Sequence, residues 1–252
     1  YPKPYDYTKR DSVINKIVSE AYDRFKLIVL GKHFKKNYNN SQFIFVSYWM
    51  KNMFDKFVKL EEKMIKDRSH IIYNCIGERF EELEYNTESE KSYDFITIRN
   101  MLDKSKYSID IVIRIAENNP KYKFCVVGKG EFFEHYDRPS NLEWVDKNLT
   151  HDEVVEYLNK SRCALLPTRA DAQGVMACEM ATFGIPLITS DIDVCEEIFT
   201  GFDNVRFIDN EDENINISHI FNELLDINNS EKNEKYFAKN TVGKEIDLFR
   251  DL

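Results

Sequence analysis

Short apolar runs alternate with stretches of helical spacing along most of the chain. Apolar segments at 26–30, 42–46, 71–74, 94–98, 123–127, 142–145, 164–167, 186–189 and 205–208 predict strands. Helical patterns at 12–25, 48–66, 108–118, 150–159, 174–183, 194–199, 217–225 and 231–252 predict helices between them. Thr150 followed by Glu153 predicts a capping box at one helix start. Strands alternating with helices imply an α/β fold with a parallel sheet covered on both faces. The polar, charged segment 81–92 reads as a linker. The expected organisation is therefore a partial α/β unit over 1–85, a doubly wound parallel-sheet domain over 93–235, and a last helix over 236–252. That helix is long enough to leave its own domain and pack back on the first unit.

Composition narrows the function classes. The chain has 252 residues, 42% of them hydrophobic, and a net charge of −9. That charge argues against general nucleic-acid binding. It is unevenly spread: Lys32, Lys35, Lys36, Lys51, Lys56, Lys59, Lys63, Lys66 and Arg68 make the N-terminal part basic. Such a part could be a solvated helix face, receive an anionic substrate or touch an anionic membrane surface. No apolar run approaches the ~20 residues that span a bilayer, and no secretory signal pattern is evident. Five scattered cysteines, Cys75, Cys125, Cys163, Cys178 and Cys195, read as small buried hydrophobes in a reducing compartment, with no metal-ligand spacing. The expected location is cytoplasmic, with peripheral contact at the inner face of the membrane. The chain opens on Tyr1 and not Met, so upstream sequence is expected to be absent.

The chemistry concentrates in loops after predicted strands, where doubly wound sheets bind ligands. Arg99, Lys104 and Lys106 follow the 94–98 strand; such a cation group suits a diphosphate or is an exposed basic turn. Gly128 and Gly130 follow the next strand and permit either close ligand approach or a simple turn. The run 171–191, DAQGVMACEMATFGIPLITSD, is the richest stretch. Gly174 sits where a helix begins, and the first amides of a helix favour an anion. Glu179 lies on an otherwise apolar helix, where it needs a partner: a vicinal diol or an internal donor. Asp171 precedes that helix and could cap it or bind a sugar. Among the histidines only His33, predicted to follow a strand, is a candidate base; the alternative is a surface histidine.

These pieces, in this order, resemble retaining GT-B glycosyltransferases of glycosyltransferase family 4 (glycosyl transferases group 1). That family's run E-G-F-G-x-V-x-x-E-A-M-A-x-G-x-P-V-V-x-S-D is similar to residues 171–191. Its Arg-bearing first loop resembles Arg99-Asn100-Met101-Leu102 with Lys106, and its V-G-x-G turn resembles Val127-Gly128-Lys129-Gly130. Its base-binding strand resembles residues 141–145, and its P-S strand end resembles Pro167-Thr168. Its I-P-N-G stretch resembles residues 72–77, and its crossover helix resembles the last helix. The chain departs from the pattern at Asp171 (usually Glu), Ile98 and Tyr107 (usually Gly) and Gln173 (commonly aromatic). The unit before residue 85 is much shorter than the family's N-terminal domain and lacks its glycine-rich and histidine-bearing loops.

The resemblance implies a GT-B-like architecture with a Rossmann-like donor domain. Asp171, Arg99 and Lys106 would be catalytic: the two cations on the donor diphosphate, Asp171 on hydroxyls of the transferred sugar. Glu179 would hold the ribose, and Gly174 and Val175 would offer helix-start amides. Thr168, Gly128, Val145 and Lys104 would complete the donor site. Neither a metal nor another cofactor would be required. The donor would be a UDP- or GDP-sugar and the acceptor a glycan, lipid-linked or protein substrate, in surface-polysaccharide or glycoconjugate assembly, with retention. The alternative is a non-catalytic nucleotide-sugar-binding subunit of a partner glycosyltransferase.

Overall fold

A computed structural model describes residues 13–58, 66–101, 107–227 and 232–250. Two parallel sheets organise them. The larger has six strands: β3 (Tyr93–Ile98), β4 (Phe124–Val127), β5 (Leu142–Val145), β6 (Ser161–Leu166), β7 (Leu187–Ser190) and β8 (Val205–Ile208), in the order β5-β4-β3-β6-β7-β8. All neighbours are parallel. Successive side chains serve opposite faces. Phe95, Cys163 and Leu165 pack on one face with Phe221, Ile111 and Ile115, while Ile96, Ile98, Ala164 and Leu166 pack on the other with Met180, Phe183 and Leu158. Both layers are apolar, so the strands read as short continuous runs, as the sequence suggested.

This order places a topological switch point between β3 and β6. The chain moves outward from β3 through β4 to β5, then returns to β6 on the other side of β3. The loops leaving the carboxyl ends of β3 and β6 therefore turn to opposite faces and leave a crevice between them. The loop after β3 leads to α4 (Ile109–Asn118), and the loop after β6 leads to α7 (Val175–Phe183). Thr150 caps α6 (His151–Asn159) with the reciprocal Glu153 bond, as expected.

The smaller sheet pairs β1 (Phe43–Phe45) with β2 (Ser69–Ile71). Phe43, Phe45 and Val58 form its core with Phe34, Phe54 and Ile71. Around it lie α1 (Val13–Asn37) and α2 (Tyr48–Val58). The predicted strand at 26–30 is incorrect: those residues lie within the 25-residue α1. Leu27-Ile28-Val29-Leu30 is a short apolar run that periodicity alone cannot assign, and the helix continues through it on both sides. His33 thus lies in a helix, not after a strand.

Residues 81–92, read as a linker, begin inside the helix Glu78–Glu82, and the rest are fastened to the large sheet's layer. Tyr85 donates its amide to the Phe183 carbonyl (2.8 Å) and its hydroxyl to the Ser161 carbonyl (2.7 Å). Lys91 donates to the Asn86 and Asn159 carbonyls, and burial lowers its pKa to about 8. The predicted helix at 231–252 is corrected too. Residues 232–237 are not helical; a 3-10 turn (Ala238–Asn240) precedes α10 (Val242–Arg250). Tyr236 is fully buried, and its hydroxyl donates to the Ile198 carbonyl, so tertiary packing holds this segment out of a helix. Among the described residues, no helix is long and apolar enough to cross a membrane.

Candidate functional site

The crevice between β3 and β6 gathers several of the expected residues. Arg99 leaves the end of β3. Its amide donates to Val127 (3.0 Å) and its Nη2 to the Leu166 carbonyl at the end of β6 (3.3 Å). The guanidinium lies 5.3 Å over the Tyr107 ring. It is thus held across the switch point by backbone on one side and an aromatic face on the other.

Opposite, the segment leaving β6 is fixed before it reaches α7. Thr168 donates its amide to Ser190 Oγ (2.8 Å), Ser190 Oγ donates to Asn210 Oδ1 (2.7 Å), and Asn210 Nδ2 donates to the Thr168 carbonyl (2.9 Å). Arg169 forms a bidentate pair with Asp110 at 2.8 and 2.6 Å, tying this segment to the first turn of α4. Asp171 Oδ1 accepts from the Ala172 amide (2.8 Å). Gly174 then adopts φ 72° and ψ 59°, left-handed, and stands at the N-cap of α7. A side chain there would be strained, and a Cβ would also approach Asp171 Oδ2 to 3.5 Å. With no side chain at the cap, the first amides of α7, starting at Val175, remain approachable by an anion. Arg99, Thr168, Asp171 and Gly174 line one small cleft.

Glu179 stands apart from that cleft. It is buried, and Oε1 accepts the Gly77 amide at 3.1 Å. Burial raises its pKa, opposed by the Gly77 hydrogen bond and the nearby His151 ring. Gly77 belongs to the stretch after β2, so a residue that follows the small sheet meets this carboxylate. Gly128 is buried; its amide donates to the Val145 carbonyl (3.1 Å) and its carbonyl accepts Trp144 Nε1 (3.0 Å). A Cβ there would lie 1.6 Å from the Arg99 carbonyl oxygen, so the glycine is required by close backbone approach. Lys104 and Lys106 lie outside the described residues.

The cysteines are free thiols; four are buried and Cys75 is half-buried. Burial pushes Cys195 up to about 11 and Cys178 higher still, so neither is a nucleophile at neutral pH. Among the described residues no cluster could hold a metal ion. A cavity of about 570 Å³ lies at the opposite, amino end of the sheet, lined by Tyr85, Lys91, Arg162 and Thr182. It is remote from the crevice chemistry.

Sequence reasoning missed the Arg169–Asp110 pair, the Ser190–Asn210 network and the contacts of Gly77, His151 and Glu197. Glu197 accepts the Tyr48 and Trp49 amides at 2.8 and 2.7 Å, capping α2 from across the molecule. All of these are long-range pairings that no local spacing signals. Gln173 carried a local signal, a polar residue beside Gly174, but its partner lies 99 residues away.

In sequence, an uncharacterized glycosyltransferase of Methanocaldococcus jannaschii is 25% identical over 226 residues, covering 86% of this chain and 58% of that protein. TarM of S. aureus superposes with a TM-score of 0.61 at 18% identity, covering 86% of this chain and 45% of that one. The pneumococcal O-GlcNAc transferase GtfA, solved with UDP and GlcNAc, gives 0.59 at 14% identity, covering 87% and 47%. The chain thus spans about half the length of the proteins it matches. The parallel α/β architecture is that of GT-B glycosyltransferase structures. Residues 78–241 match the profile of the glycosyl transferases group 1, and the chain belongs to that family.

Proposed function

We propose that this chain carries the donor-binding side of a glycosyltransferase that moves a sugar from a nucleotide-diphosphate sugar to a glycan, lipid-linked or protein acceptor. One observation carries the reading: Arg99 from the end of β3 and the bare, left-handed Gly174 start of α7 share one cleft at the switch point. A fixed cation facing free helix amides suits a diphosphate. That the pneumococcal relative was solved with UDP supports a nucleotide donor here.

In this reading Arg99, Lys106 and Lys104 bind the diphosphate, with the Val175 end of the helix adding amides. As the glycosidic bond breaks, negative charge grows on the leaving diphosphate. The preorganised positive array stabilises that charge more than the ground state, which lowers the barrier without a required metal. Asp171 contacts hydroxyls of the transferred sugar, and Glu179, oriented by Gly77, holds the ribose. Thr168 shapes the cleft, while Gly128 and Val145 border the base. Family 4 membership, retention of anomeric configuration and a role in surface-polysaccharide or glycoconjugate assembly belong to the same proposal. So does its division into an acceptor-side unit before residue 85, a donor domain over 93–235 and a final segment returning toward the first unit. The exposed cations of α1, Lys32, Lys35 and Lys36, favour a cytoplasmic protein that rests on an anionic membrane face.

The test is a panel of UDP- and GDP-sugars, with release of the nucleoside diphosphate as the readout. Slow release from one donor is expected, abolished by Arg99→Ala. Binding without release from any donor would support instead a nucleotide-sugar-binding subunit of a partner transferase.

A further inference from the structure

Residues 72–77 run from the small sheet to α3 (Glu78–Glu82) as a strap across the large unit. Four of them are held there. The Tyr73 hydroxyl donates to Glu197 Oε1 (3.1 Å), and the Ile76 amide donates to the Tyr236 carbonyl (3.1 Å). The Gly77 amide donates to Glu179 Oε1 (3.1 Å). Asn74 is held twice by one side chain. Its amide donates to Gln173 Oε1 at 2.6 Å, and its carbonyl accepts Gln173 Nε2 at 2.9 Å.

Gln173 is only 4% exposed. It stands between Gly174, the N-cap of α7, and Ala172, whose carbonyl accepts Ser47 Oγ from the acceptor side at 2.7 Å. Its primary amide offers one donor and one acceptor in the geometry of a peptide group, so it pairs with the Asn74 backbone as a neighbouring strand would. An aromatic or aliphatic side chain would leave both Asn74 groups without this partner. An ionised carboxylate would set an oxygen against the Asn74 carbonyl.

We propose that Gln173 is a positioning residue: its buried amide latches the 72–77 strap onto the head of α7 and so fixes the acceptor-side unit against the donor cleft. The catalytic consequence rests on the functional reading above; the latch itself stands on the hydrogen-bond geometry. The segment that presents Asp171 and Gly174 is thereby the segment that reads whether the acceptor side is seated.

Native-state hydrogen exchange of the whole chain tests the latch without any nucleotide sugar. In Gln173→Leu and Gln173→Glu, protection of the Asn74 and Gly77 amides is expected to fall about tenfold, while the amides of β3, β6 and β7 keep theirs. Unchanged protection at Asn74 in both variants overturns the proposal. An equal loss throughout the large sheet overturns it as well, because Gln173 would then support folding in general. With an active donor, turnover should fall about tenfold while the donor KM stays within about threefold. Absence of turnover in the parent protein would count against the functional reading alone, since the exchange result decides the latch.

Discussion

Gly77 donates its amide to Glu179 Oε1 at 3.1 Å, and a side chain at 77 would crowd that contact. A Cβ at 77 would lie 3.2 Å from that oxygen and 3.3 Å from His151 Cε1. Gly77→Ala must therefore shift the carboxylate or the strap. The expected result is a loss of about 1–2 kcal/mol in stability. The nucleotide-induced rise in melting temperature should fall with it. Thermal melts with and without UDP and GDP check both; a variant with the parent's full nucleotide shift would contradict the role given to this contact.

Glu179 also sets a pH dependence. Burial raises its pKa above the ordinary glutamate value. A carboxyl raised in the folded state binds its proton more tightly there than in the unfolded chain. Its stabilising contribution is fully present below the unfolded value and is lost as pH rises through the raised one. Glu179→Gln keeps an oxygen for the Gly77 amide and removes this loss. The variant should melt higher than the parent at neutral pH, with the difference shrinking toward about pH 4. It should also bind nucleotide more weakly. A difference that stays constant with pH would argue against the buried-carboxylate account.

Gly128 is the least replaceable glycine near the crevice. The atom that a Cβ would strike, the Arg99 carbonyl oxygen 1.6 Å away, is backbone and cannot swing aside. Gly128→Ala should cost about 3 kcal/mol or more, or prevent folding. Denaturant unfolding reads this directly, and an unshifted midpoint would contradict the close approach of the β3 and β4 ends.

The Arg169–Asp110 pair is bidentate but partly open, its side chains 27% and 38% exposed. Solvent screening limits its worth. A double-mutant cycle with Arg169→Ala and Asp110→Ala should give a coupling of about 1 kcal/mol that shrinks in high salt. A coupling near zero at low salt would show that the pair does not brace the loop after β6.

The large sheet was legible in the sequence because its strands are buried on both faces and so read as short apolar runs. Leu142–Val145 and Val205–Ile208 match the expected bounds, and the Thr150 capping box is present. The region before β3 was less legible. The run 26–30 has strand-like composition but lies mid-helix, because helix and strand look alike over so few apolar residues. In the site, Arg99, Asp171, Thr168 and Gly174 meet because strand ends and helix starts are local signals. The contacts Gln173–Asn74, Glu179–Gly77 and Glu197–Tyr73 bridge 99 to 124 positions. Only the fold brings those partners together, so nothing local in the sequence signals that Glu179 receives a backbone amide.

The central claim is that the crevice between β3 and β6 binds a nucleoside diphosphate. Isothermal titration of the parent chain with UDP and with GDP, beside Arg99→Ala, tests it most directly. The account predicts saturable binding of at least one nucleotide, weakened about tenfold or more in the variant by loss of a charge-assisted contact. No binding of either nucleotide to the parent, or equal affinity for parent and variant, would contradict it.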